Sequence, residues 1–489
     1  MGEESALVDK LKMYIGGEWV EAESGETFSV KSPVTGEVLA QMSKGGREDV
    51  EKAVDIAVEA QEKIRKMPIK ERIQLAYKVT EIVQQNIDRY ARDLTMEHGK
   101  PLKEALIEVK DVTPNLLWNA EDLKRIETPV LNPYSKPDMM CLVVREPLGT
   151  IGIITPWNFP MLMPAEFVVQ AFLAGNSVVW KPASYTPISS VHFMECVVKA
   201  GMPPGFINMV TGPGDVVGRA LVENPMVDGI CFTGETTTGE DITKRAGLKK
   251  IILELGGLGP LIIMNDANVE KAVDDIIFGC YTTGGQCCCA NERILVQEDI
   301  HDKLVRALVP KVKKMKLGNP LEDNTDIGPL NNEPVVQKVE RHVEDAVKRG
   351  AKVLAGGARA QGFPTKLYYP PTVVDDVPKE ALFNNTETFG PVAPIITFKT
   401  LDEAIETANA PRYGLSMAIH TKNFRTALEA CGRLHAGQVC VNDSVYYWDY
   451  NNPWGGFRKT GFGRIAGKWN FEAFTDLKTL VFNVGRSEF

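Results

Sequence analysis

The runs GTIGIITPW (149–157), NSVVWKPA (176–183), GFINMVTG (205–212), VDGICFTG (227–234) and KKIILELGG (249–257) decide the fold. Each is a short apolar stretch that ends in glycine, proline or a polar turn, as expected of a strand buried on both faces. Helical stretches intervene, at 161–174 and 187–200 for example. Strands that alternate with helices imply a parallel α/β sheet. CLVVREP (141–147) opens this series and GPLIIMN (259–265) follows it. A second series comprises RILVQ, AKVLAGG, YYPPTVVDD, APIITFK, LSMAIHT and GQVCVND, with helices expected at 299–315, 334–349, 401–409 and 423–433. Two α/β units therefore follow in tandem, with a seam near 255–260.

Working outward, residues 15–42 read as short strands with turns. Residues 47–66 form a helix, because Val50, Ala53, Val54, Ala57 and Ile64 fall on one face. Two more helices are expected at 70–97 and 101–126, divided by the breaker Gly99-Lys100-Pro101. The closing segment 470–489 has a strand-like end, KTLVFNV, able to add to another subunit's sheet edge.

The 489 residues suggest two large domains or three smaller ones. A 44% hydrophobic and 24% charged composition excludes a disordered or disulfide-scaffold protein. Sixty-four acids against 55 bases leave a net charge of -9, which argues against a general binder of nucleic acid or membrane surfaces. Nine cysteines, three of them consecutive, imply free thiols in a reducing compartment. The N-terminal MGEESALVDKLKMYIGG has no apolar core of a signal peptide, and the stretch 151–180 is broken by prolines and polar residues. A cytoplasmic location is expected.

Ligands of parallel sheets bind beyond the carboxyl ends of the strands, so the strand-ending turns carry the chemistry. Asn158 lies between Pro156 and Pro160 in a stiff loop, where its amide suits an oxyanion; the plainer reading is a helix-capping turn. Lys181 ends a strand and suits a ribose or phosphate, or is simply a solvated lysine. The turns Gly212–Gly218 and Phe232–Gly239 both open helices and allow backbone N–H groups to approach a pyrophosphate, although each alone is a weak signal. Glu254, at an apolar strand end, is expected to have a raised pKa that suits a general base. Thirty-four residues later, Cys288 follows a glycine turn and precedes a strand, which suits an exposed nucleophile; a buried cysteine often acts only as a small hydrophobe. No metal is expected at Cys287, Cys288 and Cys289, because adjacent side chains point different ways and no CxxC or histidine cluster accompanies them.

Together, TPWNFP (155–160), KPAS (181–184), FTGETTTG (232–239), LELGG (253–257), GQCCC (285–289), ETFGPV (387–392) and PWGGFRKTGFGR (453–464) stand in the order and spacing of the aldehyde dehydrogenase superfamily. The chain resembles that family over roughly 13–485. The resemblance implies two Rossmann-like parallel-sheet domains plus a small β oligomerisation element. Residues 1–127 and 148–255 would bind the cofactor, 256–457 would form the catalytic domain, and 128–147 with 470–489 would build the contacts of a homodimer or homotetramer. It also implies NAD(P)-dependent oxidation of an aldehyde to its acid. Cys288 matches the nucleophile, Glu254 the general base and Asn158 the oxyanion donor, with Cys287 and Cys289 lining the pocket. Lys181 matches the ribose-binding lysine, and Glu387 and Phe389 are expected at the nicotinamide ribose and ring. Further cofactor contacts are implied for Thr155, Pro156, Trp157, Gly214, Phe232, Gly234, Glu235, Thr238 and Leu255.

Several positions depart from the family pattern. Ser184 stands where many members carry a glutamate for the adenosine ribose, so NADP acceptance is expected. Glu235 replaces a common serine and Leu258 a common lysine. Phe167 and Ile465 replace a lysine and a glutamate proposed to relay protons. Glu166 replaces a tunnel aromatic and is expected to favour a polar aldehyde over an anionic one. Tyr446, Tyr447, Trp448 and Tyr450 suggest an aromatic-lined mouth. The alternatives are a CoA-acylating or phosphorylating semialdehyde dehydrogenase, which needs no water-activating base, a cofactor-free thiol hydrolase, and a binding protein on the same fold.

Overall fold

The apolar runs pair as their burial requires. In the computed structural model, which describes residues 9–485, Thr150–Ile154 and Ser177–Lys181 are buried along their whole length. They lie at the centre of an eight-stranded sheet in the order Gly461–Phe462, Lys250–Glu254, Gly229–Thr233, Thr150–Ile154, Ser177–Lys181, Ile207–Met209, Met13–Ile15 and Glu18–Val20. The five strands from Lys250–Glu254 to Ile207–Met209 run parallel. The order reverses between Thr150–Ile154 and Gly229–Thr233, and that switch point opens a crevice at the carboxyl ends of the two strands.

A second sheet begins five residues after the first series ends. Its order is Lys352–Ala355, Thr372–Asp375, Val392–Phe398, Asn291–Gln297, Gly259–Ile263, Ser416–His420 and Gln438–Val441, parallel except at the Lys352–Ala355 edge. The chain changes sheet between Glu254 and Gly259, inside the expected seam, and only Gly461–Phe462 returns to the first sheet. Arg47–Lys66 is helical over the expected residues, with its apolar face buried.

Three expectations are corrected. CLVVREP is not part of the parallel sheet. It lies in Met139–Pro147, antiparallel to both Thr475–Asn483 and Val130–Leu131, and stays only half-buried because this small sheet is not covered on both faces. AKVLAGG is likewise an antiparallel edge strand. The span 70–97 is two helices, Ile69–Gln84 and Ile87–His98. Asn86 breaks it by returning its side-chain amide to the Ile82 carbonyl, an alternative to continuing the helix.

The expectation about a signal peptide falls partly on residues 1–8, and the C-terminal segment ends with 486–489; both lie outside the described residues. Among the described residues, no helix is long and apolar enough to cross a membrane.

Candidate functional site

The helix Val269–Tyr281 ends in a reversal at Thr283, Gly284 and Gly285, all with left-handed φ of 56°, 65° and 71°. Gly285 is required twice over: by that φ, and because a Cβ there would lie 2.2 Å from the Gly390 carbonyl oxygen. A second turn follows, with the Ala290 N–H donating to the Cys287 carbonyl at 3.0 Å, before Asn291–Gln297 enters the second sheet. Cys288 is half-buried, whereas Cys287 and Cys289 are 4% and 7% exposed. The expected divergence of these three side chains is corrected. Their Sγ atoms all lie within 4.8 Å of one another, and those of Cys287 and Cys289 are 3.3 Å apart. Side chains alternate faces along a strand, but here the backbone is turning and they converge.

The three thiols influence one another's titration. Burial opposes a thiolate at Cys287, but donation from the Cys288 and Cys289 thiols and the Tyr446 hydroxyl overcomes it and holds that group well below the usual thiol range. The hydrogen bond with Cys287 then pushes Cys288 well up, aided by burial and by the charges of Cys287 and Glu254.

Asn158 is joined to this turn. Its Nδ2 donates to the Gln286 carbonyl at 3.0 Å, which leaves its second N–H free, and its own carbonyl accepts from Lys100 Nζ at 2.8 Å. Lys100 is buried against Glu108 at 2.7 Å, and Glu108 in turn accepts from the Met161 and Leu162 N–H groups. The loop that carries Asn158 is thus clamped from below. In the sequence Lys100 shows only as the charged residue between the glycine and proline of the breaker Gly99-Lys100-Pro101.

Glu254 ends its strand 4% exposed, with both carboxylate oxygens lacking a hydrogen-bond partner. Burial pushes its pKa well above the usual carboxylate range; Arg464 opposes the shift and Glu166 adds to it. The neighbouring Gly257 lies so close to the nucleophile turn that a Cβ there would sit 2.2 Å from the Cys288 carbonyl oxygen. Glu254 thus ends a strand of the first sheet and Cys288 precedes a strand of the second, and both stand at the seam, where the Glu254 charge helps to raise the Cys288 thiol.

Glu166 does not line an entrance, which corrects its expected role. It is fully buried in a wide turn, Ala165–Val169, and binds the Asn115 and Asn470 amides and the Ala466 N–H. Phe167 and Ile465 are also buried. Tyr446 does face the thiol cluster, with its ring edge-on to Phe278 at 5.1 Å, and Trp448 meets Trp454 at 4.9 Å.

The remaining expected residues surround the crevice at the switch point of the first sheet. A cavity of ≈ 380 Å³ there is lined by the apolar Ile154, Val222, Phe232 and Ile242, by Gly214 and Thr238, and by the charged Asp215, Arg219, Asp241 and Arg245. The helix Thr236–Arg245 presents its N-terminus beside it, and the buried Thr233 hydroxyl has no partner. Apolar walls, free helix N–H groups and an orphaned hydroxyl fit a nucleotide with its phosphates. Lys181 runs beside Gly218, bonded to the Pro182 carbonyl at 2.8 Å, with its pKa lowered by burial to about 8. The Ser184 hydroxyl donates to the Gly212 carbonyl at 2.9 Å. Thr155 accepts from Trp180 Nε1, and Pro156 continues the loop. Glu235 is exposed and makes no side-chain cap. Gly234 lies over the Phe232 ring, and Leu255 packs against Gly239.

Trp157 meets Phe389 edge-on at 5.6 Å. Glu387 accepts from the Gly257 N–H at 2.9 Å, with its pKa raised by burial to about 8. Two buried residues not anticipated from sequence hold this side. Glu292 accepts from the Thr388 and Phe389 N–H groups and fixes the left-handed φ of Phe389, 59°. Arg293 donates to the Leu258, Thr407 and Ala408 carbonyls.

Residues 19–480 match the model of the Aldehyde dehydrogenase family. The chain is 36% identical over 481 residues to the glutarate-semialdehyde dehydrogenase of Pseudomonas putida, covering 98% of this chain and 99% of that protein. It is 34% identical to the NADP(+) succinate-semialdehyde dehydrogenase of Escherichia coli, covering 95% and 96%. Among solved structures, the NAD-dependent aldehyde dehydrogenase from Sinorhizobium meliloti superposes with a TM-score of 0.95 at 36% identity, covering 99% of this chain and 96% of that one.

The unpartnered Glu254 carboxylate has a measurable consequence. Because its folded pKa is raised, the folded state holds a proton that the unfolded chain has already released, so its contribution to stability falls as pH rises from the unfolded pKa toward the folded one. Glu254→Gln, which never ionises, should gain melting temperature relative to the wild type as pH rises from 6 to 9. A gap that stays constant over that range contradicts the raised pKa.

Proposed function

The chain belongs to the aldehyde dehydrogenase family, and we propose that it oxidises an aldehyde to the carboxylic acid through a thioester on Cys288. The observation that carries this reading is the meeting of a half-exposed thiol, a buried carboxylate without partners and a clamped amide at the seam of two sheets.

The Cys288 sulfur, as thiolate, attacks the carbonyl carbon; its proton leaves to a neighbouring sulfur or to solvent. The oxyanion accepts from the free N–H of Asn158 and from the Cys288 backbone N–H. Losing one such donor raises the barrier by about 3 kcal/mol. When bound, NAD(P) supplies the hydride acceptor. Lys181 and Ser184 would hold its adenosine end, and Glu387, Trp157 and Phe389 its nicotinamide end. Collapse of the oxyanion leaves a thioester on Cys288. Glu254, in its ionised form, then takes a proton from water, whose oxygen attacks the thioester, and the acid departs as the Cys288 sulfur is released. The buried Glu254, with its raised affinity for protons, is suited to this role. The same carboxylate favours hydrolysis over transfer of the acyl group to CoA or phosphate.

Ser184 and Lys181 support acceptance of NADP, since neither repels a 2'-phosphate. Among relatives, the Escherichia coli protein is named for NADP(+) and the Sinorhizobium meliloti protein for NAD. On the outer sheet, exposed Leu477, Val481 and Phe482 alongside Val130, Leu131 and Met140 support a homo-oligomer, dimer or tetramer. At the mouth, Tyr446, Trp448 and Tyr450 with Asp111 support a neutral or cationic substrate tail over a carboxylate.

Cys288→Ala should lower turnover by at least about 10⁴-fold, and Glu254→Gln should release one reduced cofactor per chain and then stall; normal steady-state turnover of either variant contradicts the assigned role. In Ser184→Glu the ratio of NADP to NAD efficiency should fall about ten-fold or more, since like charges ~4 Å apart repel by roughly 1–4 kcal/mol near a surface; an unchanged ratio removes Ser184 from cofactor choice. Neutral and aminated aldehydes should exceed succinate semialdehyde in kcat/KM, and the reverse order contradicts the reading of the mouth.

A further inference from the structure

The acyl-transfer scheme needs one sulfur, yet the turn brings three together. We propose that Cys287, Cys288 and Cys289 form a three-thiolate site for a thiophilic divalent cation such as Zn2+, and that its occupation withdraws Cys288 from catalysis.

The spacing supports this directly. Zinc–thiolate bonds of about 2.3 Å place neighbouring sulfurs of a tetrahedral site about 3.8 Å apart. The separation of 3.3 Å between Cys287 and Cys289, and the limit of 4.8 Å for all three, bracket that value. Side-chain rotation of less than ~1 Å per sulfur then completes the triangle. An all-sulfur set selects soft d10 cations over Mg2+ or Ca2+. Cys288 is half-exposed, while the two flanking thiols are buried. Three ligands leave the fourth position of the cation to water. Binding exchanges thiol protons for the cation and releases them to solvent, with no change in oxidation state.

The test uses the reduced full-length protein titrated with Cd2+, which reports each thiolate bond by ultraviolet charge-transfer absorption. The band should saturate at one Cd2+ per chain, with activity lost in step and both effects reversed by a chelator. The Cys287→Ser/Cys289→Ser variant keeps Cys288, yet should lose the band and need about ten-fold more Zn2+ for half-inhibition. Should that variant not fold, Cys289→Ala alone should weaken both readouts. Cys141→Ser/Cys431→Ser, which removes the other two half-buried thiols, should keep the band and the inhibition. No band at one equivalent overturns the proposal, as does a double variant that binds and is inhibited like the wild type. Because the band is read without substrate, its failure is distinct from a failure of Cys288 as nucleophile.

Discussion

A chain reversal in three left-handed residues, Thr283 to Gly285, holds the site together. Without it the segment after Tyr281 would run straight into the second sheet, and the thiols would alternate between its faces. Left-handed backbone costs a residue other than glycine roughly 1–2 kcal/mol, so Thr283 must be held by its surroundings. Glu104 does this by accepting the Thr283 N–H at 2.8 Å, and Gln286 accepts from the Asn331 N–H and donates to the Thr283 carbonyl. The same Gln286 offers its backbone carbonyl to Asn158. Nucleophile and oxyanion donor are thereby placed by one set of hydrogen bonds.

Buried charge separates support from chemistry here. Lys100 and Glu108, Glu292, Arg293 and Glu166 are all buried and all have partners. Each fixes backbone groups near the seam: the Asn158 loop, the Phe389 turn, the Leu258 carbonyl or the Ala466 N–H. Glu254 alone of these has neither oxygen paired. An unsatisfied buried polar group costs about 1–3 kcal/mol, and more if charged, so a carboxylate kept in that condition is expected where it serves a reaction.

Much of this was legible in the sequence, for physical reasons. Apolar runs buried on both faces read as parallel strands without knowledge of their partners, and Arg47–Lys66 and Leu401–Asn409 follow from helical periodicity within about a residue. Strand-ending turns pointed to Asn158, Lys181 and Glu254, because ligands of such sheets gather there, and Cys288 stood out by its glycine turn before a strand. Features set by tertiary contact were not legible. Composition does not show whether Glu166 faces a tunnel or binds two asparagines, and Lys100 gains its meaning only when Glu108 lies beside it. The convergence of the thiols depends on a turn whose dihedral angles the run Cys-Cys-Cys does not encode. Asn86 divides 70–97 through a bond to the Ile82 carbonyl that the helical pattern on either side does not show.

The central claim is that the acyl group is carried by the middle sulfur of three. Peptide mass spectrometry of Glu254→Gln quenched after reaction with aldehyde and NAD(P) tests it most directly. The account predicts an acyl adduct on Cys288, with Cys287 and Cys289 unmodified. An adduct on either neighbour, or none on any cysteine, contradicts it.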